Sequence, residues 1–179
     1  PLSDQSFTIV TVANDRSEDE AHHEVISNWN SRGRSTNSLF LGLTKGGSVR
    51  LSDKFSNAGQ LIDRKQPFIL SALNSDESAA TFQNGAKLAE SPPLNDRIVA
   101  GPWVIGTQGN INGEFWRGDI SEILVYDRGL TEPELRNILG YLSNKYGIQL
   151  RADLSSPDRL ALASLCHVLI NTNEFIYID

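Results

Sequence analysis

The 179-residue chain is predicted to be an all-β antiparallel sandwich with one helix packed on it and a second helix in its tail. Three observations predict this. Short apolar runs broken by turn residues fill the stretch from Ser6 to Tyr126. The pair Asn84-Gly85 sits between two of those runs, where two positive φ angles make a tight type I′ hairpin. A helical period begins only after residue 130.

The strand candidates are Phe7–Val12, Val25–Trp29, Leu39–Leu43, Val49–Leu51, Phe68–Leu73, Ala80–Gln83, Trp103–Gly106 and Asp119–Tyr126. In the first, Phe7, Ile9 and Val12 interleave with Thr8 and Thr11, as in a strand with one face on a core. The stretch Asn14–Glu24 carries Asp15, Arg16, Glu18, Asp19, Glu20 and Glu24 with few apolar residues and reads as a solvated loop. Gly46-Gly47 marks a turn, and Pro92-Pro93 and Gly101-Pro102 mark longer connections. Thr131-Glu132-Pro133-Glu134 combines an N-cap, an early proline and the glutamate of a capping box. Leu135, Ile138, Leu139, Leu142 and Tyr146 then recur at helical spacing, and Gly147 can close the helix in αL geometry. Gln149–Ser156 reads as a linker. A second helix follows from Asp158 to Ile170, apolar on nearly every face and so in need of cover. Within it Cys166 reads as a small buried hydrophobe, because it and His167 point about 100° apart on a helix and form no dyad.

The net charge of −6 is spread along the chain without a basic block, which argues against duplex nucleic acid and a polybasic membrane patch. No apolar run reaches the roughly 18 residues of a membrane span, so no membrane insertion is expected. The single cysteine cannot form an internal disulfide. With Pro1 first and no Met present, the chain is expected to be part of a longer protein.

The segment Gly113–Ile148, GEFWRGDISEILVYDRGLTEPELRNILGYLSNKYGI, resembles the closing part of laminin-G-like domains of the concanavalin A-like lectin-glucanase fold. Those domains run a Gly-Asp-Ile strand into VYDR and then a capped helix ending in Lys-Tyr-Gly. FTIVTVAN, SLFLGLTKGGSVRLSD and FQNGAKLA fit the same pattern, so the likeness extends from about Ser6 to Ile148. It implies a jelly-roll sandwich over residues 1–148, with further strands expected ahead of Ser6. Pro157-Asp158-Arg159-Leu160 and LASLCHVLINTNEFIYID are similar to the C-terminus of planctomycete-type multidomain proteins with cytochrome-c-like domains. That resemblance implies that residues 149–179 are a linker and helical tail of a neighbouring domain, and that the protein is periplasmic or secreted.

Glycosidases of this fold carry Glu-x-Asp-x-x-Glu on one strand, with one carboxylate as nucleophile and another as acid. In Arg117-Gly118-Asp119-Ile120-Ser121-Glu122 a cation stands where the nucleophile belongs, and Glu114 is awkwardly placed to substitute. No catalytic residue is assigned and no enzyme is expected. The tripeptide Arg117-Gly118-Asp119 also spells an integrin motif, but at a strand start rather than a loop tip. His22-His23 lacks the spacing of a transition-metal site. No cofactor is required; calcium would suit carboxylates at the sandwich rim, with the acidic loop and Asp53 contributing.

Carbohydrate binding needs aromatic faces beside planar polar side chains. Trp29, Asn28, Asn30, Arg32 and Arg34 supply both in one stretch, and Asn110, Asn112, Glu114 and Trp116 in a second. Trp103 opens an apolar strand and reads as core. The expected function is a non-catalytic module recognising polysaccharide, with neighbouring domains of the same polypeptide as its other partners. The alternative is a structural or protein-interaction module, and a glycoside hydrolase ranks last. A lectin site would expose its Trp, Asn and Arg side chains in a groove, whereas a spacer would bury Trp29 and Trp116. An enzyme would need a close carboxylate pair there, and none is expected.

Overall fold

The computed structural model describes residues 6–19, 21–28, 39–95, 102–109 and 113–151. Nine strands form two antiparallel sheets among these residues: β1 (Phe7–Ala13), β2 (His23–Ser27), β3 (Leu39–Leu43), β4 (Val49–Ser52), β5 (Phe68–Asn74), β6 (Ala79–Gln83), β7 (Ala86–Ser91), β8 (Val104–Ile105) and β9 (Ile120–Tyr126). One sheet has the order β7-β6-β5-β1-β9 and the other β4-β3-β2-β8. A single α-helix among the described residues, α1 (Glu132–Tyr146), follows the last strand.

Alternation along the strands builds a core between the sheets from Phe7, Ile9, Leu41, Leu43, Phe68 and Leu70. Each such side chain contributes on the order of 1.5–3 kcal/mol by burial. The five-stranded sheet is apolar on its other face as well. There Val10, Val12 and Ile69 meet Leu135, Leu139 and Leu142 of α1. The expectation that β1 has one core face is corrected accordingly. It lies at the centre of a sheet covered on both sides, and even Thr8 and Thr11 are buried. Their hydroxyls are satisfied locally. Thr11 donates to the Glu122 carbonyl at 3.1 Å, and Thr8 donates to the Arg128 carbonyl while accepting from Leu130 N–H, both at 3.0 Å.

The turn chemistry acts as its residues dictate. Asn84 and Gly85, at φ 50° and 89°, join β6 to β7, and the Asn84 side chain accepts from Ile69 N–H at 2.7 Å. At the helix start, Thr131 and Glu134 form the reciprocal capping box, and Gly147 closes the other end at φ 67°. The Arg128 guanidinium and the Thr131 groups hold the Glu134 carboxyl down at about 2. Thr131→Ala removes one limb of the box and should cost about 1 kcal/mol. In thermal denaturation that is a Tm loss of roughly 2–4 °C for a chain of this size.

The acidic stretch after β1 departs from its expected solvated character. Arg16, Glu18, Asp19 and His22 are exposed, but Asn14, Asp15 and Ser17 are buried, and His23 and Glu24 belong to β2. Burial of Asp15 is compensated by Arg64, 2.5 Å away, and by Ser17 N–H at 2.9 Å. His23 sits between the Phe115 carbonyl and the Asp19 carboxylate, each 2.7 Å from a ring nitrogen.

Candidate functional site

The outward face of the four-stranded sheet holds an unusual set of polar groups for so buried a place. Register brings them there: Phe115 bridges to Glu24, Glu24 lies opposite Gly42, and Gly42 lies opposite Arg50. Paired residues point to the same side of a sheet, so these four form one row across it. Gly42 contributes no side chain, and the Glu24 carboxyl occupies the space it leaves. A Cβ at position 42 would overlap Glu24 Oε2 and come within 2.5 Å of the His23 carbonyl.

Within the row, Arg50 donates to Glu24 Oε1 at 2.8 Å and stacks over the Phe40 ring at 4.6 Å. Glu114 approaches the same guanidinium at 3.8 Å. Its backbone adopts a positive φ of 54°, which a non-glycine residue rarely holds without a tertiary reason. Here the Glu114 carbonyl accepts from Glu24 N–H at 3.0 Å. Gln108 is buried, and with its amide nitrogen turned to Glu114 it donates to both carboxylate oxygens, at 2.9 and 2.6 Å. The second Glu24 oxygen is buried with no donor among the described residues.

Burial pushes the Glu24 carboxyl up to about 8; Arg50 counteracts this, and Glu114 adds to it. Glu24 therefore keeps a proton at neutral pH and can donate it to Glu114. His22 is pulled down by desolvation first and then by Arg50, so it is neutral there. The recess opens at its rim: Glu114 is 23% and Arg50 14% exposed at the side chain, and the neighbouring Phe115 is 51% exposed. It sets a guanidinium and two carboxyl groups beside an exposed aromatic ring.

Two carboxyl groups, Glu24 and Glu114, do lie around one guanidinium, but Glu24 is fully buried and receives a hydrogen bond from Arg50 at 2.8 Å, so it is closed to a substrate. Asp119 and Glu122 are held elsewhere. Asp119 is bound by Asn14 and Arg16. Glu122 pairs opposite Val12 on the helix side of its sheet, where Lys145 and Tyr146 each donate to it at 2.9 Å. Arg117 pairs with Asp19 at 3.2 Å.

Of the residues singled out for sugar binding, the structure describes three, Asn28, Glu114 and Trp116, and of these Glu114 lies beside Arg50. Asn28 is buried, and its side-chain oxygen accepts from Leu39 N–H at 2.8 Å, anchoring the base of the β2–β3 connection. Trp116 is half-buried against the inter-sheet core with its Nε1 3.4 Å from the Asp119 carbonyl, and Trp103 packs on the same core. Trp29, Asn30, Arg32, Arg34, Asn110 and Asn112 lie outside the described residues, as do the tail helix, Cys166 and His167. Among the described residues no group of three or more His, Cys, Asp or Glu converges as metal ligands would, and no helix is long and apolar enough to cross a membrane. A groove of about 1010 Å³ runs between the β6–β7 turn and the end of α1, but the titratable groups that line it, Asp63, Tyr146 and Arg151, are all partly or fully exposed.

No family model matches the chain, and no curated protein sequence does. Solved structures do match. The chain is similar to the CBM40 of the Ruminococcus gnavus IT-sialidase bound to α2,3 sialyllactose, with a TM-score of 0.59 and 17% identity over 76% of this chain and 83% of that one. It is similar to a SAP-like pentraxin from Limulus polyphemus, at TM-score 0.55 and 17% identity, over 82% and 73% of the two chains. A Trypanosoma rangeli sialidase matches at TM-score 0.58 and 16% identity over 80% of this chain, which is 23% of its own length. The fold is thus an antiparallel jelly-roll sandwich of the concanavalin-like kind.

Proposed function

We propose that the chain is a non-catalytic glycan-recognition module whose binding face is the outward side of the four-stranded sheet. One observation carries this reading: an exposed aromatic ring, Phe115, stands in line with a rigid, partly open set of planar polar groups, Glu24, Arg50, Glu114 and Gln108. Sugars are held by that combination, an apolar ring face for the C–H surface and fixed donors and acceptors for the hydroxyls. The structural likeness to a module bound to sialyllactose supports it. The setting in a periplasmic or secreted multidomain protein belongs to the same proposal and rests on the resemblance of the 113–148 segment and of the tail. So does calcium, held at the sandwich rim.

Phe115→Ala is expected to lower glycan affinity about tenfold, the worth of one stacked ring, while leaving Tm nearly unchanged. Glycan-array binding of wild type and variant, with calcium and with chelator, checks it. Undiminished binding by the folded variant would remove Phe115 from the site, and loss with chelator alone would bring calcium into it. A second reading has its own support. Ile105, 63% exposed, and Phe115 both lie along the β8 edge of the sheet, and such an apolar edge suits a protein neighbour. Absence of glycan binding by folded protein would move the function to that interdomain role.

A further inference from the structure

We infer that the recess formed by Glu24, Arg50, Glu114 and Gln108 selects an uncharged hydroxyl pair of a neutral glycan and discriminates against carboxylate-bearing sugars. The inference rests on the glycan-binding reading above and deepens it by naming the ligand class. It follows from how the charges in the recess are already spent.

Arg50 is the one cation of the recess among the described residues, His22 being neutral there. A carboxylated sugar needs a guanidinium free to donate to both of its oxygens. The Arg50 guanidinium instead bonds Glu24 at 2.8 Å, faces Glu114 at 3.8 Å and is held flat over Phe40 at 4.6 Å. Two carboxyl groups, Glu24 at 2.8 Å and Glu114 at 3.8 Å, already flank this single guanidinium. An incoming carboxylate therefore finds no net positive charge. It would also lie within a few ångströms of Glu114, whose position is fixed by Gln108 and by its own strained backbone.

A sugar hydroxyl meets the opposite situation. It is donor and acceptor at once, and the rim offers both kinds of partner side by side. The remaining N–H groups of Arg50 donate, because Nη1 uses only part of a five-donor group. The Glu114 carboxylate accepts, with lone pairs left over after the two bonds from Gln108. Adjacent hydroxyls on one sugar ring can use these partners together.

The test compares matched probes on the intact chain at neutral pH: lactose with α2,3- and α2,6-sialyllactose, and neutral xylan and mannan oligosaccharides with a uronic-acid oligosaccharide. Neutral members of each pair are expected to bind at least tenfold more tightly than their acidic partners. Glu114→Gln removes the negative charge with little change in shape and should shrink that preference at least tenfold. Arg50→Lys, which keeps the charge without the fork, should weaken neutral probes. Tighter binding of the sialylated or uronic members by wild type would overturn the inference while leaving the glycan-binding reading standing. A preference for neutral sugars untouched by Glu114→Gln would equally remove it from this recess. Silence on every probe from folded protein would overturn both.

Discussion

Gly42→Ala is expected to destabilise the chain by about 3 kcal/mol, at the upper end of what one inserted methyl group costs a packed interior. For a chain of this size that is a Tm lower by roughly 6–12 °C. The reason is local and has two parts. The new Cβ would overlap Glu24 Oε2 and would stand 2.7 Å from Glu24 Cδ, so the carboxyl would have to leave its place between Gly42 and Arg50. It would also stand 2.5 Å from the His23 carbonyl, and that is backbone, which cannot rotate away. Glu24→Ala on the Gly42→Ala background should thus recover only part of the loss. Thermal denaturation of the single and double variants decides the matter. A Gly42→Ala chain within about 2 °C of wild type would mean that the row does not hold the geometry described.

Glu24→Gln should behave in the reverse sense, and only at high pH. The folded-state carboxyl is raised from 4.5 to about 8, chiefly by burial. Between those limits the folded chain binds a proton that the unfolded chain has released. Stability contributed at this residue is therefore present below about pH 4.5 and lost progressively as pH rises through about 8. The full swing is on the order of 4–5 kcal/mol, at 1.36 kcal/mol for each pH unit of displacement. Glutamine reproduces the protonated acid: it keeps the oxygen that faces Arg50 and can donate towards Glu114. At pH 5 the variant should match wild type in urea unfolding, and near pH 8.5 it should be the more stable by several kcal/mol. A difference between the two that does not change across that range would show that Glu24 is not a buried acid.

Much of the fold was legible in the sequence where local chemistry decides it. Leu39–Leu43 forms a strand with the bounds expected, Asn84-Gly85 turns the hairpin, and Thr131 with Glu134 caps the helix. β7 was not among the strand candidates, although the hairpin implied something after it. As an edge strand of mixed, partly exposed residues it has no continuous apolar face to announce it. The recess was hidden for another reason. Glu24 stood in a run of charges that suggested solvent, and Arg50 lay within the short strand candidate Val49–Leu51 without being singled out. Cross-strand register joins them across 26 residues of sequence. One signal was available: Gly42 interrupts an apolar strand, and a lone glycine there marks a close approach by something else.

The position of β1 at the centre of its sheet bears on how the molecule comes into being on the ribosome. Its partners are β5 on one side and β9 on the other. Thr11 leaves the exit tunnel 111 residues before Glu122, to whose carbonyl it donates. At translation rates of about 5–20 residues per second, that interval is roughly 5–20 s. Throughout it the strand has at most one neighbour and its outer apolar face lacks α1, so the nascent chain presents an adhesive surface that chaperones would need to mask. Non-local pairing of this kind also slows refolding of the finished chain, to milliseconds or longer. Of the described strands, the earliest in the chain is completed last.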